Sequence, residues 1–136
     1  MKRKDFQELA AIRLKEASVL LEARCWDGAY YLGGYAIECA LKACIAKQTE
    51  RFDFPDKKRV VDSHTHDLQE LVRVAQLTPQ LAEHRRQPDF DANWTIVADW
   101  WEQSRYERAS QEGAENLLRA VSERRNGVLR WLRRYW

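Results

Sequence analysis

The chain has 136 residues, of which 45% are hydrophobic and 32% charged, the balance of a folded globular protein rather than a disordered one, and one core suits this length. The expectation is a single domain over residues 1–136. A formal net charge of +2 is too small to argue by itself for a nucleic-acid partner, and no apolar run is long enough to span a bilayer, so a cytoplasmic location with no membrane partner is expected.

Five glycines and three prolines leave few places for turns, which favours a few long helices over many short strands. Phe6, Leu9, Ala10, Ala17, Leu20 and Leu21 recur at spacings of three and four, one face of a helix over about Asp5–Arg24. Trp26-Asp27-Gly28 breaks that pattern and opens a second helix, about Ala29–Lys47, with Asp27 as its N-cap. This helix carries the stripe Tyr30, Gly33, Ile37, Ala40, Leu41, Cys44 and Ile45, and Tyr31, Tyr35 and Cys39 lie off the stripe, so it is covered on more than one side. Each of the adjacent glycines Gly33 and Gly34 costs a helix roughly 1 kcal/mol relative to alanine, which calls for a close approach, read here as another helix backbone. Cys25, Cys39 and Cys44 lack C-x-x-C spacing and read as packed free thiols.

Thr49–Thr65 holds Pro55 and reads as a loop. Asp67 with Glu70 has capping-box spacing and starts a third helix, about Asp67–Ala75, with an extra turn over Pro79–Arg85. A short helix follows from Asn93-Trp94 to Arg105. The last helix spans about Gln111–Arg134 and turns Ala114, Leu117, Leu118, Val121, Val128 and Leu132 to the core. There is no internal repeat. An all-α fold, an antiparallel up-and-down bundle of four to five helices, is the economical architecture.

From Arg119 to Trp136 six arginines stand against one acid, Glu123. Such a helix can meet phosphate, and it can equally be a solvated face. The spacing of the last stripe turns Arg125 toward the apolar side, where an arginine needs a partner or an interface unless it snorkels from the edge. Glu38, embedded in the most apolar segment, is the candidate partner, and it can also pair with Lys42 four residues on. His64, His66 and His84 have no Cys or carboxylate at ligand spacing, so neither a metal site nor a cofactor is expected. Capping or packing beside Asp67 suits His66 better. No serine lies in a nucleophile elbow and no glycine loop is placed to cradle phosphate. The C-terminal tryptophans, with Tyr106 and Tyr135, suit core packing or a helical interface, and can also stack on unpaired bases.

Taken together, Trp26–Ala43, with its A-Y-Y, Y-A-x-E and L-K-A elements, resembles the second helix of HEPN domains. His66-Asp67-Leu68 with Leu71 resembles the start of their third helix, and Arg105-Tyr106 resembles their R-Y element. The resemblance implies an antiparallel helical bundle, commonly dimeric and often partnered by a minimal nucleotidyltransferase. It also implies that many relatives are ribonucleases, frequently toxins or defence components. Their site is an R-x(4–6)-H motif on the last helix, in which arginine positions phosphate and histidine moves protons. Here Arg125-Asn126 resembles the start of that motif, and the histidine positions hold Arg130, Trp131 and Leu132. Arginine cannot exchange a proton near neutral pH, so Arg130 does not replace the general base.

The expectation is therefore a non-catalytic homodimer that binds a nucleotidyltransferase partner, a nucleotide or RNA. Its phosphate or RNA contacts would be Arg125, Asn126, Arg130, Arg105 and Tyr106, with Glu38 beside them in the cleft. Two alternatives stand: a ribonuclease that recruits another base, such as His66 or Glu38, and a purely structural helical dimer.

Overall fold

The computed structural model describes residues 1–50 and 62–136, without the side chain of Arg105. The described residues are all-α and contain no strand. Pro55 and most of the stretch read as a loop lie outside them.

Helices α1 (Arg3–Glu22) and α2 (Trp26–Glu50) form a hairpin. Small residues make their close packing possible: Ala10 and Ala17 on α1, and Ala29, Ala36, Ala40 and Ala43 on α2, are 0% exposed. The turn between them is a Schellman closure, in which Cys25 N–H donates to Leu20 O at 2.8 Å and Arg24 N–H to Leu21 O at 3.1 Å. Arg24 sits at φ 63° to allow it. Helix α2 is the centre of the protein. It packs against nearly every other element, and its buried residues run from Ala29 to Ile45. It begins earlier than the sequence suggests, at Trp26, so Asp27 lies in its first turn. Asp27 accepts the Ala109 N–H and pairs with Arg108 at 2.8 Å, tying the start of α2 to the approach of a later helix.

Helix α3 (Leu68–Val74) starts where the capping signal places it. Asp67 Oδ1 accepts the N–H groups of Gln69 at 2.9 Å and Glu70 at 3.2 Å. The extra turn is a helix in its own right, α4 (Thr78–His84). Helix α5 (Pro88–Ala98) begins five residues before Asn93, because Pro88 is tolerated in a first helical turn and Phe90 joins Trp94 and Val97 in the core. It stops at Ala98, and a 3₁₀ turn, Glu102–Tyr106, follows.

The glycine pair faces side chains rather than a helix backbone. A Cβ on Gly33 would lie 2.8 Å from Leu118 Cδ1, and one on Gly34 would collide with the indole of Trp100. Trp100 is 2% exposed and lies 6.0 Å, ring to ring, from Tyr31.

The last helix is the main departure from the sequence reading. It is two helices, α6 (Gln111–Ser122) and α7 (Val128–Leu132), separated by the turn Glu123–Gly127. Gly127 is the residue before α7 rather than a point of helix–helix packing, and a Cβ there would collide with the Glu123 carbonyl oxygen.

Gly34→Ala should destabilise the fold by about 3 kcal/mol, the upper range for overpacking, because the indole it meets is fully enclosed. Gly33→Ala should cost less, since the leucine methyl it meets can rotate. Urea denaturation of the two variants checks the order.

Candidate functional site

Two groups of polar residues come together in this fold, one at the α6–α7 turn and one where α2 meets the segment before α3. In the first, Glu123 closes the turn around its own side chain. Its Oε2 accepts the N–H of Arg125 at 3.0 Å and that of Asn126, while Gly127 N–H donates to the Glu123 carbonyl at 3.0 Å. The Asn126 and Arg125 N–H groups, in that order, hold the Glu123 carboxyl below the usual carboxylate range. Asn93 Nδ2–H donates to Asn126 O at 3.0 Å, fastening the turn to α5.

This geometry corrects the expected setting of Arg125. A continuous helix would turn it toward the apolar side, but the break swings it out, and Arg124, Arg125 and Arg130 are all exposed. Arg130 donates from its guanidinium to the Arg124 carbonyl. A depression of about 420 Å³ beside the turn is lined by Arg124, Arg130, Arg133, Glu123, Ser122 and Leu14, among others. Of the three positions where the motif histidine would fall, Arg130 alone faces solvent. Trp131 is 2% and Leu132 0% exposed.

The second group is built on Glu38, which is 1% exposed at the centre of α2. Its Oε1 lies 2.9 Å from Lys42 Nζ and 2.6 Å from His66 Nδ1. Lys42 is the i+4 partner that the sequence offers. Arg125 is not among the partners of Glu38, so the expected cleft pairing of these two does not form. His66 is held by Glu38 rather than acting as a cap, and its Nε2 lies 3.8 Å from Glu102 Oε1. An Nδ1–H donated to Glu38 leaves Nε2 of a neutral ring as the acceptor. Glu38 Oε2 is buried with no hydrogen-bond partner among the described residues.

No sequence signal links His66 to Glu38 across 28 residues. The hint available was only that a carboxylate in so apolar a segment needs partners. His84 was also missed. It packs edge-on to Phe90 at 4.3 Å and stacks at 6.0 Å on Trp131. Burial, and then Arg134, lower its pKa. A lowered folded pKa favours the neutral ring, so its contribution to stability is present above the ordinary imidazole pKa and falls away on acidification below it.

The remaining site candidates are dispersed. Tyr106 is 76% exposed in the 3₁₀ turn. The Arg105 side chain lies outside the described residues. Cys39 and Cys44 are buried, with thiols pushed up by burial to about 11 and about 12, whereas Cys25 is exposed in the α1–α2 turn rather than packed. No group of three metal-binding side chains occurs among the described residues, and no helix there is long and apolar enough to cross a membrane.

An all-α chain with a buried carboxylate on its second helix and an arginine-bearing turn near its C-terminus is the class defined by these features. The model of one family, described as HEPN domain, matches residues 4–135. The chain belongs to the HEPN domain family. No curated protein and no solved structure matches it. Family membership supports a nucleotide- or RNA-related function in general terms.

Glu38→Gln should lower the unfolding free energy by about 3 kcal/mol, because it leaves the mostly buried Lys42 ammonium without its counter-charge. Chemical denaturation at neutral pH measures it, and an effect below about 1 kcal/mol would show that the carboxylate is not a structural anchor.

Proposed function

We propose that this chain is a non-catalytic HEPN protein that acts as a homodimer and binds phosphate-bearing ligands, RNA or a nucleotide, through the arginines of the α6–α7 turn. The observation that carries this reading is the outward display of Arg124, Arg125 and Arg130 on a turn stiffened by Glu123, with Arg124 and Arg130 lining a depression beside it. Guanidinium groups grip phosphate in pairs of hydrogen bonds, and they do so best on a scaffold that is already ordered. A two-fold axis would double the set. A minimal nucleotidyltransferase is the proposed protein partner, and a toxin–antitoxin or defence system the proposed setting. Both come from the family resemblance.

The motif position that faces water carries Arg130, a residue that binds anions and does not exchange protons at neutral pH. The phosphate-holding half of the family motif is thus present in sequence without its acid–base half.

One observation favours a second reading. The Glu38–His66 contact holds an imidazole with its second nitrogen away from the carboxylate, the arrangement a general base needs. Charge weighs against it. Asp67, Asp99 and Glu102 line the surface beside His66, and three carboxylates repel the phosphate that such a base would have to approach. This reading expects RNA cleavage that disappears in His66→Ala.

Fluorescence anisotropy with a labelled RNA pool tests the leading reading. The chain should bind with an affinity that falls steeply as salt rises, since phosphate contacts release counterions. Replacing Arg124, Arg125 and Arg130 together with alanine should weaken binding at least tenfold and flatten the salt dependence. Unchanged binding in that variant would remove the turn from the interface.

A further inference from the structure

The depression beside the α6–α7 turn, about 420 Å³, falls within the roughly 300–1,000 Å³ of small-molecule clefts. Its lining divides into two parts. Leu14 from α1, Val121 from α6 and Leu129 from α7 supply an apolar part, and Arg124, Arg130 and Arg133 a cationic one. Arg133 directly follows α7, so it brings to the same hollow a cation from outside the turn.

The three guanidinium groups keep most of their donors. Arg130 spends one N–H on the Arg124 carbonyl, which holds its head at the turn. Arg133 lies over the Trp136 ring at 5.6 Å, a contact that orders the side chain and consumes no hydrogen-bond donor. The Arg124 side chain makes no hydrogen bond or ion pair among the described residues. Ser122 offers no donor to the hollow, because its hydroxyl proton goes to Leu118 O at 2.6 Å. Glu123 is the one acid in the lining, and its Oε2 is already occupied by the N–H groups of Arg125 and Asn126. Three permanent positive charges thus stand against one engaged carboxylate.

Charge and donor geometry restrict the occupant. A carboxylate brings one charge and two oxygens, too few acceptors for three guanidinium groups. A phosphodiester within an RNA strand has one charge and two unesterified oxygens, and leaves the same shortfall. A phosphomonoester offers three unesterified oxygens and is largely dianionic at neutral pH, since its second pKa is about 6. Each oxygen can then accept charge-assisted bonds from a different arginine. Inorganic phosphate alone would leave the apolar part of the lining unused. A sugar and base adjoining the phosphate would cover it.

We propose that this depression takes a terminal nucleotide phosphomonoester, with Arg124, Arg130 and Arg133 around the phosphate and Leu14, Val121 and Leu129 against the adjoining nucleoside. Because the site shares Arg124 and Arg130 with the proposed phosphate interface, it rests on that reading and narrows it from phosphate in general to a chain end or a free nucleotide. Arg125, exposed but outside the lining, is left for internal phosphates.

Fluorescence anisotropy of the full chain tests it with one internally labelled RNA sequence in three forms: 5′-phosphate, 3′-phosphate, and hydroxyl at both ends. At least one phosphorylated form should bind at least tenfold more tightly than the hydroxyl form. Arg133→Ala, at an exposed position, should cut that preference to within twofold with an unchanged circular dichroism spectrum, while hydroxyl-ended RNA still binds through the turn. Arg133→Lys keeps the charge without the paired N–H groups and should lose most of the preference. Adenosine monophosphate should displace the phosphorylated RNA, and adenosine should not. Displacement by the mononucleotide at lower concentration than by unlabelled phosphorylated RNA assigns a free nucleotide to the site, and the reverse order assigns an RNA end. Equal binding of the three RNAs with intact dependence on Arg124, Arg125 and Arg130 sinks this inference alone, as does a preference that survives Arg133→Ala. RNA binding indifferent to all four arginines, or no binding of any of these probes, sinks the proposed function and this site with it.

Discussion

A carboxylate enclosed at the middle of the most buried helix constrains everything around it. Glu38 cannot remain charged in that position without compensation, since an isolated buried carboxylate is strongly disfavoured. Lys42 supplies part of the answer from the same helix and His66 the rest from another segment. The His66 contact fixes the stretch before α3 against α2, next to the point where Asp67 caps α3. On the same side of α2, four residues earlier, Gly34 makes room for the Trp100 indole. The corner that carries Trp101 and Glu102 is thereby held near His66. Two tertiary fastenings on one helix face thus build the acidic surface beside His66.

The C-terminal turn follows a different physical logic. Continuing α6 past Ser122 would carry Arg125 onto the apolar stripe, where its charge would need a buried partner. Glu123 instead folds its side chain back onto the N–H groups of Arg125 and Asn126, and those bonds replace the ones a continued helix would make. Gly127 permits the tight closure, and α7 then restarts with Val128, Leu129, Trp131 and Leu132 in the core. The arginines between the two helices are left to solvent. The protein therefore keeps an apolar C-terminal segment and an exposed cationic turn in the same stretch of chain. His84 stacking on Trp131 secures the segment from the α4 side.

Much of this was legible in the sequence, for identifiable reasons. Regular apolar spacing marked α1 and α2, and Asp67 with Glu70 marked the start of α3, because local periodicity and capping are written within a few residues. The signature of the second helix, Trp26–Ala43, also carries the family resemblance in the sequence alone. The α6–α7 break was not legible, since Val121, Val128 and Leu132 keep helical spacing across it and a side chain bonding to its own turn leaves no periodic trace. The close approach at Gly33-Gly34 was legible as a need, but its answer, an indole and a leucine, comes from residues far along the chain. For the same reason Glu38 could be matched with Lys42 and not with His66. The cationic character of the stretch holding Arg125 and Arg130 is plain from its composition, while the side of the helix assigned to Arg125 depended on a helix that does not continue.

In the proposed function, the cationic turn holds RNA without cutting it. The most direct measurement follows a mixed RNA pool on a denaturing gel at a protein concentration where binding is saturated and the sample is shown to be folded and dimeric. Intact RNA is expected after prolonged incubation, because the motif position that faces solvent holds Arg130, which does not exchange a proton at neutral pH. Fragments that accumulate with time, and vanish when Arg125 is replaced by alanine, would contradict it and show that the site finds its general base elsewhere.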